Sequence, residues 1–380
     1  MIVEFLPHVF SYASTRLLMA ALTALILSIF LGPRFIRKLY SLKIGQPIRV
    51  EECPLLGELH HDKKDTPTMG GILVVFSLIV STLLWGDLSS SYLKLLLVVT
   101  LLFSFLGGRD DYLKLKYKKN SKGLSGKKKL LTQGAIAALV ALFMLIPGFT
   151  NFFGEMPVIK EGLYALNLQA FAGNIYVPFM KTPWLQLSGV GLIGIFFWIL
   201  FIVVGTSNAV NLTDGLDGLA SGLLVMAGLA FGIFAYLMSV ESFADYLNLV
   251  YIDQASEVAV FLAAMIGALL GFLWFNGFPA QLFMGDIGSL TLGGILGTVA
   301  ILLGRGLLLG IVGAVFVAEA LSVILQVISY RYFNKKRIFL CAPLHHHFEY
   351  KGMKETKIVI RFWIVGLLCL LIGLISIKFQ

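Results

Sequence analysis

Residues 205–218 read GTSNAVNLTDGLDG, and four polar side chains recur in them every three positions: Asn208, Asn211, Asp214 and Asp217. Residues three apart are neighbours on a helix, so this spacing predicts one polar ridge at a helix end. Gly215 and Gly218 would let another helix or a ligand come close. Helix capping would use one aspartate but hardly all four residues. A calcium loop beginning at Asp214 would need its bidentate glutamate where Val225 stands. A second stretch, FMGDIGS (283–289), isolates Asp286 between Gly285 and Gly288. Phe283 there could stack on a base or pack at an interface. A third, GGRDDYLK (107–114), places Asp110 beside Asp111. Adjacent residues on a helix point about 100° apart, so these two are expected to do different jobs.

Aspartates with oxygen-rich neighbours suit Mg2+, which takes one or two carboxylates together with substrate phosphates. Lys114, Lys116, Lys118, Lys119 and Lys122 follow the aspartate pair. They suit an anionic substrate, although a basic run beside a membrane commonly reads anionic lipid. Half of the six histidines are consecutive, His345, His346 and His347 in APLHHHFEYKG. They lack HxxxH spacing and a partner cysteine, so donation to phosphate or sugar is expected rather than a metal site. Cys53, Cys341 and Cys369 are far apart and suggest neither disulfide nor zinc. The chemistry these groups imply is a Mg2+-dependent transfer between a soluble phosphate compound and a lipid phosphate.

The elements that must position them are transmembrane helices. The chain is 380 residues long, 58% hydrophobic and 13% charged, against about 25% charged in soluble domains. An all-α polytopic membrane protein forming one domain over residues 1–380 is expected. Apolar runs long enough to span lie near 17–39, 70–86, 92–108, 131–149, 190–208, 217–239, 257–275, 287–304, 306–330 and 358–378. The break between the eighth and ninth rests on LGRG around Arg305, and nine spans is the rival count. With ten spans, 23 of the 30 lysines and arginines fall in 34–70, 109–130 and 331–357, all on one side. The positive-inside rule makes that side cytoplasmic and puts both termini outside. Every polar motif above then gathers in a cleft at the cytoplasmic face. The outer segment 150–189, with VPFMKTPWLQL, is expected to form a short hairpin or interfacial piece.

TPTMGG (66–71), DDYLK, KNSKGLS, NAVNLTDGLDGLA, the FNGFPAQLFMGDIGS stretch (275–289) and PLHHHFE resemble the phospho-MurNAc-pentapeptide-transferase family. That family lies within the polyprenyl-phosphate N-acetylhexosamine-1-phosphate transferases. The resemblance runs from about residue 30 to the C-terminus, and HHHFE and TPTMGG are its more specific parts. GGRDD departs from the pattern, because Arg109 stands where relatives carry apolar or aromatic residues. The resemblance implies transfer from UDP-MurNAc-pentapeptide to undecaprenyl phosphate, giving lipid I and UMP in a bacterial cytoplasmic membrane. It implies Asp286 as Mg2+ ligand, and Asp110 or Asp111 acting on the lipid phosphate; the resemblance does not separate the two, and Asp110 is the one expected here to do the chemistry. Asn211 and Asp214 would serve the nucleotide, with Phe283 stacking on uracil, Asn208 among the substrate-binding residues and Asp217 supporting the site or its loop. Lys63, Thr68, Lys114, Lys122, Asn276 and the three histidines would hold diphosphate or sugar. The two substrates and membrane lipid are the partners expected, with no nucleic acid, and a homodimer is allowed. The alternatives are a UDP-N-acetylglucosamine transferase, against which HHHFE argues, and an ion or phosphate transporter. A transporter would carry charges near the middle of its spans.

Overall fold

A computed structural model describes residues 9, 12–41, 66–117, 123–333 and 335–378. Lys63, Lys118, Lys119 and Lys122 lie outside the described residues. The helices that carry the fold are α1 (Ala13–Ser41), α2 (Gly71–Trp85), α3 (Ser91–Tyr117), α4 (Gly126–Leu145), α5 (Leu192–Thr213) and α6 (Leu219–Met238). They continue as α7 (Ala255–Asn276), α8 (Gly285–Leu302), α9 (Gly306–Val312), α10 (Ala314–Tyr332), α11 (Leu344–Tyr350) and α12 (Glu355–Lys378).

Among the described residues, nine helices are long and apolar enough to cross a membrane. The segment expected at 70–86 forms α2, apolar but only 15 residues long. The segment expected at 306–330 is not one helix, since Gly313 divides it into α9 and α10. The break before it is real. Gly304 turns left-handed at φ 65°, which only glycine adopts readily, and the Arg305 amide closes the end of α8 on the Ala300 carbonyl at 2.7 Å.

Helices α7 and α8 form the centre and are the most buried spans. Small residues let their neighbours approach at backbone distance, the usual device where lipid removes the hydrophobic drive between helices. Gly267 of α7 lies on the backbone of Ala21 in α1, and Gly293 and Gly297 of α8 lie on α5 around Ser207 and Val203. Gly107 of α3 meets the backbone of Asp286 and Ile287. These contacts bring the ends of α3, α5 and α8 together, and with them their polar residues.

The opposite end of α3 is tied differently. The Gln254 side-chain oxygen accepts from the Ser90 and Ser91 hydroxyls and the Tyr92 amide. Nearby, Arg16 of α1 pairs with buried Glu257 at 2.6 Å. The expected hairpins are here. β1 (Ile159–Glu161) pairs antiparallel with β2 (Tyr164–Leu166), with Ile159 opposite Leu166, and with β5 (Tyr251–Ile252) on its other edge. β3 (Asn174–Ile175) pairs with β4 (Leu185–Gln186) around VPFMKTP. At 1.5 Å per residue, Ser91 and Asp110 are roughly 30 Å apart along α3.

Candidate active site

Asp110 sits near the end of α3 and Asp286 in the first turn of α8, and two ammonium groups join them. Lys114, one turn after Asp110, lies 2.8 Å from Asp110 Oδ2 and 2.9 Å from Asp286 Oδ2. Lys129, in the first turn of α4, lies 2.8 Å from Asp286 Oδ2 and 3.7 Å from Asp110 Oδ2. The other oxygens are occupied as well. Asn211 Nδ2 donates to Asp286 Oδ1 at 2.8 Å and to Ser289 Oγ at 2.8 Å. The Leu124 amide donates to Asp110 Oδ1 at 2.6 Å. Two carboxylates, Asp110 buried and Asp286 half-buried, thus sit side by side with their charge matched by two lysines.

Asp111 turns elsewhere. Its Oδ2 accepts from the Ile287 amide at 3.0 Å, so it satisfies an otherwise orphan donor in the first turn of α8. Gly285 is left-handed (φ 75°), and a side chain there would strike Asp111 Oδ2 and press on Thr68 Oγ1. Thr68 is itself buried. The TPTMGG segment is laced to this turn: Phe283 N donates to the Pro67 carbonyl at 2.9 Å, and Gly70 N to the Phe283 carbonyl at 2.8 Å. Phe283 keeps a half-buried ring. Arg109 is exposed and forms no ion pair with either aspartate.

The polar ridge expected from 208 to 217 is only half formed. α5 stops at Thr213, so Asn208 and Asn211 share its face while Asp214 and Asp217 lie in the turn beyond. The Asn208 amide is engaged with Gln133 of α4, donating to its Oε1 at 2.9 Å, and with the Val204 carbonyl at 2.8 Å. Asp214 is half-buried, and its carboxyl is pushed up to about 8, first by burial and then by the charges of Asp286, Asp111 and Asp217. Asp217 is buried and ties two loops: Oδ2 accepts from Ala280 N at 3.0 Å, and its own amide donates to Glu355 Oε1 at 2.9 Å. Asn276 was expected to touch substrate, yet it is 3% exposed and works as a clamp. Its Oδ1 accepts from Gly218 N at 3.2 Å and Ser221 Oγ at 2.9 Å, and its Nδ2 donates to the Leu282 carbonyl at 2.9 Å.

The histidines lie on the short helix α11, where the His345 and His346 rings meet edge to face with centroids 4.1 Å apart. His345 is fully buried, with Nδ1 3.2 Å from Glu319 Oε1 of α10. His346 Nδ1 is 2.6 Å from Glu349 Oε2. His347 Nδ1 accepts from the Leu340 amide at 3.1 Å. The three therefore do not share one environment: His345 is a core residue, while His346 and His347 are half-buried and engage Glu349 and the Leu340 amide.

Sequence reasoning missed Lys129, which it counted only among the basic residues of 109–130. Ser125 caps α4 by accepting from Lys128 N, and this sets the helix phase. Lys127 and Lys128 are exposed, while Lys129 and, one turn on, buried Gln133 face the site. A glutamine inside an apolar span was the available signal for that face.

Among the described residues no group of three or more histidine, cysteine, aspartate or glutamate side chains is arranged to hold a metal ion. The donors still fit Mg2+, which is commonly held by one or two carboxylates, with water and substrate phosphate completing its shell. Asp286 and Asp110 are such a pair, since the lysines already place positive charge against both.

A family model described as glycosyl transferase family 4 matches residues 93–304, and the phospho-N-acetylmuramoyl-pentapeptide-transferase signature 1 matches 63–75. The chain is 55% identical to the phospho-N-acetylmuramoyl-pentapeptide-transferase of Protochlamydia amoebophila, over 98% of this chain and 96% of the relative. Relatives of the same name from Desulfotalea psychrophila and Brachyspira hyodysenteriae are 46% and 45% identical, again over 98% of this chain and 96% of theirs. With the signature matched and the identity running nearly the full length of both chains, the chain belongs to the phospho-N-acetylmuramoyl-pentapeptide-transferase family.

Proposed function

We propose that the protein transfers phospho-MurNAc-pentapeptide from UDP-MurNAc-pentapeptide to undecaprenyl phosphate, producing lipid I and UMP at the cytoplasmic face of a bacterial inner membrane. The observation that carries this reading is the pair of carboxylates, Asp110 and Asp286, bridged by Lys114 and Lys129 where three apolar spans end. In the reaction an oxygen of the lipid phosphate attacks the sugar-linked phosphorus of the UDP compound. The phosphoanhydride bond breaks and UMP leaves.

Two anions must meet, and phosphoryl transfer needs mainly positioning and charge stabilisation. Like charges about 4 Å apart repel by roughly 4 kcal/mol at an effective dielectric of 20. Lys114 and Lys129 are placed to exchange their carboxylates for the diphosphate and offset that repulsion. Asp110 orients the lipid phosphate and holds its proton, while Asp111 keeps the first turn of α8 in place. Asn211 and Asp214 face the nucleotide and Phe283 offers its ring to uracil. Asn276 and Asp217 hold the loops that carry these groups. Asp286, with Asp110 beside it, would hold Mg2+. When bound, that ion supplies neutralising charge for the diphosphate.

The test is UMP release by purified protein in detergent. Release that requires both substrates, stops with a chelator and returns with Mg2+ supports the reading. UMP formed without the lipid phosphate would contradict it.

A further inference from the structure

Helix α10 has two unlike faces. Val317, Leu321, Ile324, Leu325 and Ile328 are exposed, as expected of a surface meant for lipid. The inward face carries Glu319, Gln326 and Ser329. Gln326 and Ser329 tie down the connection to α11: Gln326 Oε1 accepts from Ile338 N and Phe339 N at 3.0 Å each, and Ser329 Oγ donates to the Lys336 carbonyl at 2.9 Å. Glu319 does something else. It is wholly buried, and its Oε1 accepts from His345 N at 3.2 Å while lying 3.2 Å from Nδ1 of the same residue.

The far edge of the His345 ring meets Gly215, next to Asp214. A Cβ on residue 215 would collide with Nε2 and stand 2.9 Å from Cε1. Gly215 has no left-handed backbone, so glycine is there for room and not for conformation. Its other side is exposed to solvent. Glu319 Oε2 and both ring nitrogens of His345 have no hydrogen-bond partner among the described residues. Buried polar atoms left in this state are rare and call for a reason. An apolar pair of similar volume would hold two helices together equally well.

We propose that Glu319 is a positioning residue for the UDP substrate: through His345 it sets the place of the turn 214–218, so that the lipid-facing helix α10 braces the nucleotide site. The role rests on the reading that Asp214 faces the nucleotide. It makes the His345 ring a spacer between a membrane helix and that turn. Glu319 fixes how the ring is turned, and the ring fixes how near Gly215 can come.

Two sets of variants test this. In kinetics, Glu319→Ala is expected to raise KM for UDP-MurNAc-pentapeptide about fivefold or more, with kcat and KM for the lipid phosphate within about twofold. Coupling of groups in direct contact supports effects of this size. Glu319→Gln keeps an oxygen acceptor and is expected to restore KM to within about twofold. A KM unchanged in Glu319→Ala, or a fall in kcat alone, would overturn the proposal. The second set is a double-mutant cycle of Gly215→Ala with His345→Ala, read as melting temperature, which needs no substrate. Gly215→Ala should lower the melting temperature beside His345 and leave it unchanged in the His345→Ala background. Additive effects would overturn the proposal even if Glu319→Ala did not fold. If the wild type fails to turn over these substrates while the cycle is non-additive, the functional reading falls and the His345–Gly215 contact stands.

Discussion

Replacing Lys129 with methionine removes one of the two ammonium groups that hold Asp110 and Asp286 together, with little change in volume. Lys129 makes one short contact, 2.8 Å to Asp286 Oδ2, and one longer contact, 3.7 Å to Asp110 Oδ2. Lys114 remains 2.9 Å from the same Asp286 oxygen. The carboxylates are therefore not stranded, and the loss is smaller than the roughly 3–5 kcal/mol of a broken buried ion pair. A hydrogen bond to a charged group contributes about 1.5–3 kcal/mol. At 1.36 kcal/mol per tenfold in rate, the expected fall in kcat/KM for the UDP substrate is roughly 10- to 150-fold. Because Lys129 occupies an oxygen proposed to hold Mg2+, the half-saturating Mg2+ concentration should stay the same or fall. The assay is UMP release at saturating lipid phosphate, repeated across a Mg2+ titration. Lys127→Met and Lys128→Met, at exposed positions of the same turn, should remain within about twofold of wild type. A Lys129→Met enzyme within threefold of wild type, or one needing more Mg2+, would refute the reasoning.

The other predictions divide stability from turnover. Asp110→Asn should depress kcat with little effect on melting temperature. Asp111→Ala leaves the Ile287 amide without its acceptor, which costs about 1–3 kcal/mol, so it should lower the melting temperature first; equal kinetic loss in both variants at unchanged stability would sink the division. Asp214 holds its proton up to about pH 8 when folded but loses it near the ordinary carboxylate value of about 4 when unfolded. The folded state thus binds the extra proton between those values, and stability falls as pH rises through that window. Asp214→Asn should therefore gain melting temperature over wild type progressively from about pH 5 to pH 8, then level off; a constant difference would contradict it. Asn276→Ala should lose stability and raise KM for the UDP substrate together, because the clamp holds both loops. A rise in KM alone would mean that Asn276 touches substrate directly.

Much of the site was legible because polar residues are conspicuous in so apolar a chain. Asp286, Asp110 and Asn211 announced themselves in this way, and the structure brings all three together. What sequence could not separate was a side chain that binds a ligand from one that clamps a loop. Asn276 and Asn211 are the same amide near the C-terminal end of an apolar helix, and only their distant partners distinguish them. The three-residue spacing from Asn208 to Asp217 suggested more helix than forms, because α5 ends before the second half of the pattern. Consecutive histidines also hide their roles: 100° steps around a short helix send one ring into the core and leave two nearer the surface. The ten apolar runs all fall on helices. The length of α2 and the division at Gly313 depend on packing that composition does not report.

The central claim is the identity of the sugar moved to lipid, and mass spectrometry of the lipid product tests it most directly. Purified protein is given undecaprenyl phosphate, Mg2+ and equal amounts of UDP-MurNAc-pentapeptide and UDP-N-acetylglucosamine. The account predicts one lipid diphosphate, bearing MurNAc-pentapeptide, formed in equal amount with UMP. A lipid diphosphate bearing N-acetylglucosamine, or UMP without any lipid product, would contradict it.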